Sequence, residues 1–287
     1  MEEKFSFIPL TNLSILKKML EIFNYPFLIK SLILSFWLSL VFSFFGIFVL
    51  IKRMSFFSDG IAHASVFSLA LAFLLNLDFF LISILGAIIF ASLIFYLERK
   101  TKIHTDALIG LIFVSFLSLG LILISLKSGY QPELLSFLIG NLLTISDFDF
   151  YLILFFSIIS IIFMIFLFKK MILVFLDRTE SHLRGINVNF YEYLFYVFLA
   201  ISVILGIKVM GMILVTAFLI LPPMIASLIS RSFKQMIILT LTLSVLNVMI
   251  SYMLSFNFNL PLNATIILWN SIVFYFVFLL KTLKLIK

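Results

Sequence analysis

The chain has 287 residues, 64% of them hydrophobic and 11% charged, with a mean hydropathy of +1.29. A soluble domain carries about 25% charged residues and could not bury this much apolar surface, so both a soluble globular protein and a disordered one are excluded. An integral membrane protein remains, and its 20 Lys and Arg against 13 Asp and Glu are read as flanks that set topology, not as a nucleic-acid surface.

In chain order, residues 1–26 form an amphipathic segment in which Lys17, Lys18 and Glu21 stand among Leu and Ile. It holds no apolar run ending in a small-residue cleavage site, so it is not a cleavable signal. Residues 27–287 form the transmembrane domain. Nine apolar runs follow, at 27–51, about 61–77, 79–97, 107–126, 150–168, 190–207, 209–230, 235–256 and 262–280. Each approaches the roughly 20 residues that cross a bilayer as a helix. The fold class is thus all-α, a polytopic bundle of about eight or nine spans. Residues 133–143 are apolar but too short to cross, and they predict a short helix on the outer side. Tight junctions fall at Asn76-Leu77-Asp78 and between Lys208 and Gly211. With no cysteine, disulfides, thiolate metal sites and Cys nucleophiles are all absent. The 38 Phe are assigned to lipid contact and base composition.

The basic residues fall in alternate loops. One side carries Lys52 and Arg53; Arg99, Lys100 and Lys102; Lys169, Lys170, Arg178 and Arg184; Arg231 and Lys234; and Lys281, Lys284 and Lys287. The other side, apart from the N-terminal segment, carries Lys127 and Lys208. This bias assigns the first group to the cytoplasm. It leaves Lys4, Lys17, Lys18 and Lys30 on the outer face, which an in-plane helix or an extra partial crossing would relieve.

Ionisable residues within a membrane are costly, so each is a candidate for function. The informative ones are Asp59 and His63. At four residues apart on a helix they share one face, and an imidazole and a carboxylate so placed can bind one divalent cation. These donors suit Zn²⁺, Mn²⁺ or Fe²⁺ better than Cu⁺. Ser58, Gly60, Ala62, Ala64 and Ser65 leave room around them. Two ligands do not complete a metal site, so water, a second protomer or other spans must supply the rest. The plainer alternative has Asp59 as an N-cap and His63 in an interhelical hydrogen bond.

Gly206, Gly211, Pro222 and Pro223 interrupt the seventh and eighth runs and are candidate helix breaks or gates. His104 and His182 read as solvated loop residues, and Asp106 as a helix cap. Residues Asp177 to Gly185 form the longest charged segment, predicted as a short helix stopped by Gly185. It is either a solvated loop or a docking helix for a cytoplasmic partner. No G-x-x-x-x-G-K-[ST], H-E-x-x-H or G-x-S-x-G occurs, which argues against a P-loop and against a membrane protease or hydrolase.

Arg53-Met54-Ser55, Asp59, His63 and Ala64 together resemble the R-M-S-x-x-x-D-x-x-x-H-A signature of the metal-specific ABC-transporter permeases, importers of zinc, manganese or iron. Asp106-Ala107-Leu108-Ile109-Gly110 is similar to the family's D-x-x-I-G. Leu138-Ile139-Gly140-Asn141-Leu142-Leu143 resembles its L-F-G-N-x-L short helix. Asp177 to Gly185 stands where the family has D-P-E-x-A-x-x-x-G, its coupling helix. Val209-Met210-Gly211-Met212-Ile213-Leu214-Val215 through Leu221-Pro222 resembles V-G-x-x-L-V…P-A-A-x-A. There are departures: Phe67-Ser68 replaces Pro-Gly, Arg178-Thr179 replaces Pro-Glu, Pro223 replaces Ala, Ser58 replaces Gly and Ala62 replaces Ser. None removes a candidate ligand.

The resemblance implies a vitamin-B12-importer-like, type II ABC importer architecture in a bacterial plasma or inner membrane. It implies two copies of the chain on a two-fold axis, with Asp59 and His63 of each forming a relay site. Two separate cytoplasmic ATPases would dock on the segment carrying Asp177, Arg178, Glu180, Arg184 and Gly185. An extracytoplasmic metal-binding protein would deliver the ion. The chain would itself be no enzyme, hold no permanent cofactor and contact lipid but no nucleic acid. Ile61-Ala62-His63-Ala64-Ser65 resembles the zinc-uptake branch, so Zn²⁺ is the expected cargo, followed by Mn²⁺ or Fe²⁺. The rival is an ion-coupled secondary metal carrier, which should show inverted repeats and more intramembrane acids. A membrane enzyme would need a convergent nucleophile and base.

Overall fold

A computed structural model describes residues 26–126 and 146–285. Among these residues there are ten helices and no strand: α1 (Pro26–Lys52), α2 (Phe57–Leu75), α3 (Phe79–Lys100), α4 (Thr105–Ser125), α5 (Asp147–Leu176), α6 (Arg178–Leu183), α7 (Val188–Met210), α8 (Met212–Ile229), α9 (Phe233–Phe258) and α10 (Leu262–Thr282). All but α6 are long and apolar enough to cross a membrane. The all-α bundle therefore stands. The N-terminal segment up to residue 25 and the short helix over 133–143 lie outside the described residues.

The helix ends follow from local chemistry. Asn76 takes the left-handed conformation that closes α2, and the Asp78 side chain accepts the Leu81 amide at 2.7 Å to open α3. This fits two spans around a three-residue turn, Asn76 to Asp78. Ser146, Asn187 and Ser232 cap α5, α7 and α9 in the same way. Two starts and stops differ from the hydropathy pattern. Helix α5 continues past Lys169 and Lys170 to Leu176, because both lysines stay exposed while Met171 is buried. Helix α2 begins at Phe57, a full turn before the apolar run.

The ends gather in two charged layers. Lys52, Glu98, Arg99, Arg178 and Glu192 join the basic ends of α1 and α3 to α6 and the start of α7. At the other ends, Lys30 pairs with Asp147, and Lys208 lies 2.6 Å from Asp149. The predicted sidedness of the spans thus has two distinct layers to correspond to.

Helix α1 is the most enclosed. Its Ser31, Ser35, Ser39 and Ser43, spaced by four, are fully buried. Such small polar residues let membrane helices approach closely. Ser31 and Ser35 lie 2.6 and 2.9 Å from the Tyr252 hydroxyl of α9. Many phenylalanines are interior, not lipid-facing: Phe42, Phe45, Phe48, Phe195 and Phe218 are fully buried.

The expected breaks in the seventh and eighth runs are only partly present. Gly211, at φ +77°, does separate α7 from α8. Gly206 does not interrupt α7; it makes room for the Phe42 ring and Val215. Pro222 and Pro223 lie inside α8, which runs through them. Each proline deprives the carbonyl four residues earlier of its amide partner, here Phe218 and Leu219. Helix α1 compensates. Ser43 donates to the Phe218 carbonyl at 3.3 Å, and Gly46 lacks the Cβ that would collide with the Leu219 carbonyl. Side-chain repair of this kind makes proline tolerable in a membrane helix.

Candidate metal site

Helix α2 starts at Phe57 with Phe56 in the N-cap position and no side-chain cap. Asp59 is therefore in the first turn and caps nothing, which overturns the N-cap alternative. His63 makes no hydrogen bond among the described residues; its ring packs on that of Phe113 at 4.9 Å between centroids. The two residues follow one another up one face. Between Phe57 and Ala70, only Asp59, His63 and Phe67 are partly open, and every other side chain is buried. Helix α2 runs unbroken through Phe67-Ser68, where the family pattern it resembles has Pro-Gly.

The open stripe faces a cavity of about 270 Å³, bounded on the α4 side by Asp106, Ile109, Gly110 and Phe113. A Cβ at Gly110 would meet open space. Asp106 was expected as a cap, but His104 takes the N-cap position, without a side-chain bond. Asp106 instead lines the cavity, and its carboxylate accepts a hydrogen bond from the Phe56 backbone. One of its oxygens is buried without a hydrogen-bond partner, as is the Ser58 hydroxyl beside Asp59.

From α8, the Thr216 hydroxyl donates to Asp59 Oδ1 at 2.7 Å. One carboxylate oxygen is thereby held in place by α8. Imidazole and carboxylate, one turn apart, present a nitrogen and an oxygen donor to the same space. Among the described residues, no three His, Asp or Glu are close enough to hold one ion. Asp106 shares the cavity with the pair but not a coordination sphere in this conformation.

A second cavity, of about 390 Å³, lies beneath the first and is lined by Lys52, Arg53, Glu98, His104, Thr105 and Asp106. Asp106 borders both spaces. His104 is exposed at this rim, and His182 is exposed on α6.

The charged segment forms α6 as predicted. Asp177 caps it, accepting the Glu180 amide at 2.9 Å, and Glu180 pairs with Arg184. Gly185, at φ +71°, ends it. Its amide bonds to the His182 carbonyl and that of Ile186 to Ser181, both at 3.0 Å, the pattern of a Schellman stop. Leu183 is 83% exposed at its tip. These residues are apart from the Asp59 cavity, as are Pro222 and Pro223.

Sequence reasoning missed Thr216 and the site role of Asp106. A threonine in an apolar helix carries no signal until its partner is known. Asp106 did carry one, an acid at the start of a span, which resembles an ordinary cap. It missed Glu192 too, an acid two residues into an apolar run, which the rule on intramembrane charge would have marked.

Residues 24–281 match the ABC 3 transport family. The manganese import system permease protein of Streptococcus gordonii is 30% identical over 251 residues, 88% of this chain and 90% of that one. The high-affinity zinc uptake system membrane protein of Buchnera aphidicola subsp. Baizongia pistaciae is 30% identical over 231 residues, 80% of this chain and 88% of that one. Among solved structures, PsaBC from Streptococcus pneumoniae in complex with Fab superposes with a TM-score of 0.77 at 30% identity, covering 92% of this chain and 95% of the matched one. The chain belongs to the ABC 3 transport family, as a multi-pass bacterial membrane permease of the metal-specific ABC transporters and not itself an enzyme.

Proposed function

We propose that this chain is the pathway-forming subunit of an importer of divalent transition-metal ions, acting as a homodimer with two ATPase subunits and an extracytoplasmic metal-binding protein. The observation that carries this reading is the pair Asp59 and His63, partly open in the largely buried first half of α2 and sharing one cavity with Asp106. Asp59 and His63 take the ion as cargo. The carboxylate offsets its charge where water is scarce, and the imidazole binds it only when unprotonated. A second copy, or water, completes the coordination that one chain leaves open. Asp106, on the border of both cavities, receives the ion on its way to the lower one. The apolar tip of α6 at Leu183, flanked by Arg184 and Glu180, is the surface on which an ATPase docks.

The cargo has two readings. One imidazole among carboxylate oxygens is an oxygen-rich set, which suits Mn²⁺. The likeness of residues 61–65 to the zinc-uptake branch supports Zn²⁺. The test is uptake of Mn²⁺, Zn²⁺ and Fe²⁺ into cells expressing the chain with its ATPase and binding protein, with Asp59→Asn and His63→Ala in parallel. ATP-dependent uptake of one ion, lost in both mutants, is the expected result and names the cargo. Uptake that persists without ATP hydrolysis would point to an ion-coupled secondary carrier instead. Wild-type uptake by both mutants would remove Asp59 and His63 from the path.

A further inference from the structure

Glu192, in the second turn of α7, is fully buried yet meets three cations. Arg178 Nη2 and Nε donate to its Oε1 at 2.8 and 3.1 Å. Lys52 Nζ lies 3.3 Å from the same oxygen, and Arg99 pairs with the other. Glu98 is the second acid of the cluster. It accepts from Lys52 at 3.1 Å, from Thr105 at 3.2 Å and from the Tyr196 hydroxyl at 2.6 Å.

The cluster touches the first residue of each helix that carries a site carboxylate. Thr105 opens α4, next to Asp106. Phe57 opens α2, two residues before Asp59, and its ring packs on that of Tyr196 at 5.6 Å. From α6, the only side chain to reach the cluster is Arg178.

We propose that Arg178 is a positioning residue that ties the movement of α6 to the starts of α2 and α4, acting through Glu192 and Glu98. This rests on α6 being where the ATPase docks. An isolated surface ion pair contributes little. Here one partner is fully buried, the guanidinium gives two hydrogen bonds to it, and the other cations fix it in place. A shift of α6 therefore displaces a carboxylate that cannot be resolvated, and the strain falls on the helix starts that bear Asp59 and Asp106.

The test is Arg178→Pro. Position 178 is the first residue of α6, where proline is well tolerated, and Asp177 before it is already extended. The variant keeps the helix and its cap but loses the tether. In proteoliposomes of the complete transporter, ions moved per ATP hydrolysed should fall about tenfold or more, the scale of losing a hydrogen bond to a charged group. Binding of Mn²⁺ or Zn²⁺ at Asp59 and His63, and co-purification of the ATPase, should be unchanged. Arg178→Lys, which keeps the charge, should recover part of the ratio. A wild-type ratio in Arg178→Pro overturns the proposal, and so does loss of the ATPase, which would make Arg178 a docking residue. A second measurement does not depend on transport. Leu183→Cys, in a chain without other cysteines, takes a spin label. Its spectrum in the isolated chain should sharpen when Arg178→Pro is added; identical spectra would refute the tether even if α6 docks no ATPase.

Discussion

The Thr216 hydroxyl lies 2.7 Å from Asp59 Oδ1 and 3.1 Å from the carbonyl of Met212 in its own helix. A threonine in a helix usually bonds back to that carbonyl. Here the shorter contact goes across to α2, so α8 fixes the orientation of the carboxylate. Thr216→Val should weaken binding of the transported ion about tenfold, in line with the loss of a hydrogen bond to a charged group. Thr216→Ser should keep most of the affinity. Equilibrium metal binding by the purified protein, with Mn²⁺ and Zn²⁺, decides this; equal affinities for all three proteins would deny the hydroxyl any role.

Asp106 lines the cavity that holds Asp59 and His63. Asp106→Asn keeps the shape and removes the charge. Uptake should slow by about tenfold, the effect of removing one well-placed electrostatic partner from a path of low dielectric, while affinity at Asp59 and His63 changes little. A rate unchanged from wild type would leave Asp106 outside the route.

Gly46 abuts the backbone carbonyl of Leu219, which cannot move like a side-chain tip. Gly46→Ala should destabilise the folded chain by about 1–3 kcal/mol, as overpacking does, read as a lower thermal midpoint in detergent. Ser43→Ala should cost less, about 1 kcal/mol, the value of a typical interhelical hydrogen bond. If Gly46→Ala melts no lower than the wild type, the close approach of α1 and α8 is not as tight as described.

Asn247 and Asn270 bond to one another at 2.8 Å, and Trp269 donates to Asn247 at 3.2 Å, all between α9 and α10. Asn270→Leu removes this polar link from an apolar interface and should lower the thermal midpoint, by the equivalent of about 1 kcal/mol. Ion affinity should be untouched, because neither asparagine borders the cavity.

Much of this architecture is legible from hydropathy because a bilayer requires long apolar runs. All nine runs became helices, and the alternation of basic ends matches the two charged layers. The pattern fails where polar residues begin a helix. Asp59 and Gly60 interrupt the apolar pattern, which therefore starts at about residue 61 and omits the turn that carries Asp59. The Asp59–His63 pair itself was readable, since spacing by four needs only one helix. Thr216 was not, because its role depends on α8 crossing α2, which no local pattern encodes. Pro222 and Pro223 misled for a related reason. Their usual effect is to break a helix, and the groups that prevent it, Ser43 and Gly46, lie on α1, far away in sequence.

That repair constrains how the bundle can deform. The carbonyls freed in α8 are covered only as long as α1 stays beside them, and separating the two helices would strand polar groups in hydrocarbon, at a cost of several kcal/mol for each. Helices α1 and α8 are thus obliged to travel as one body. Any relative motion in the bundle must therefore carry this pair along together.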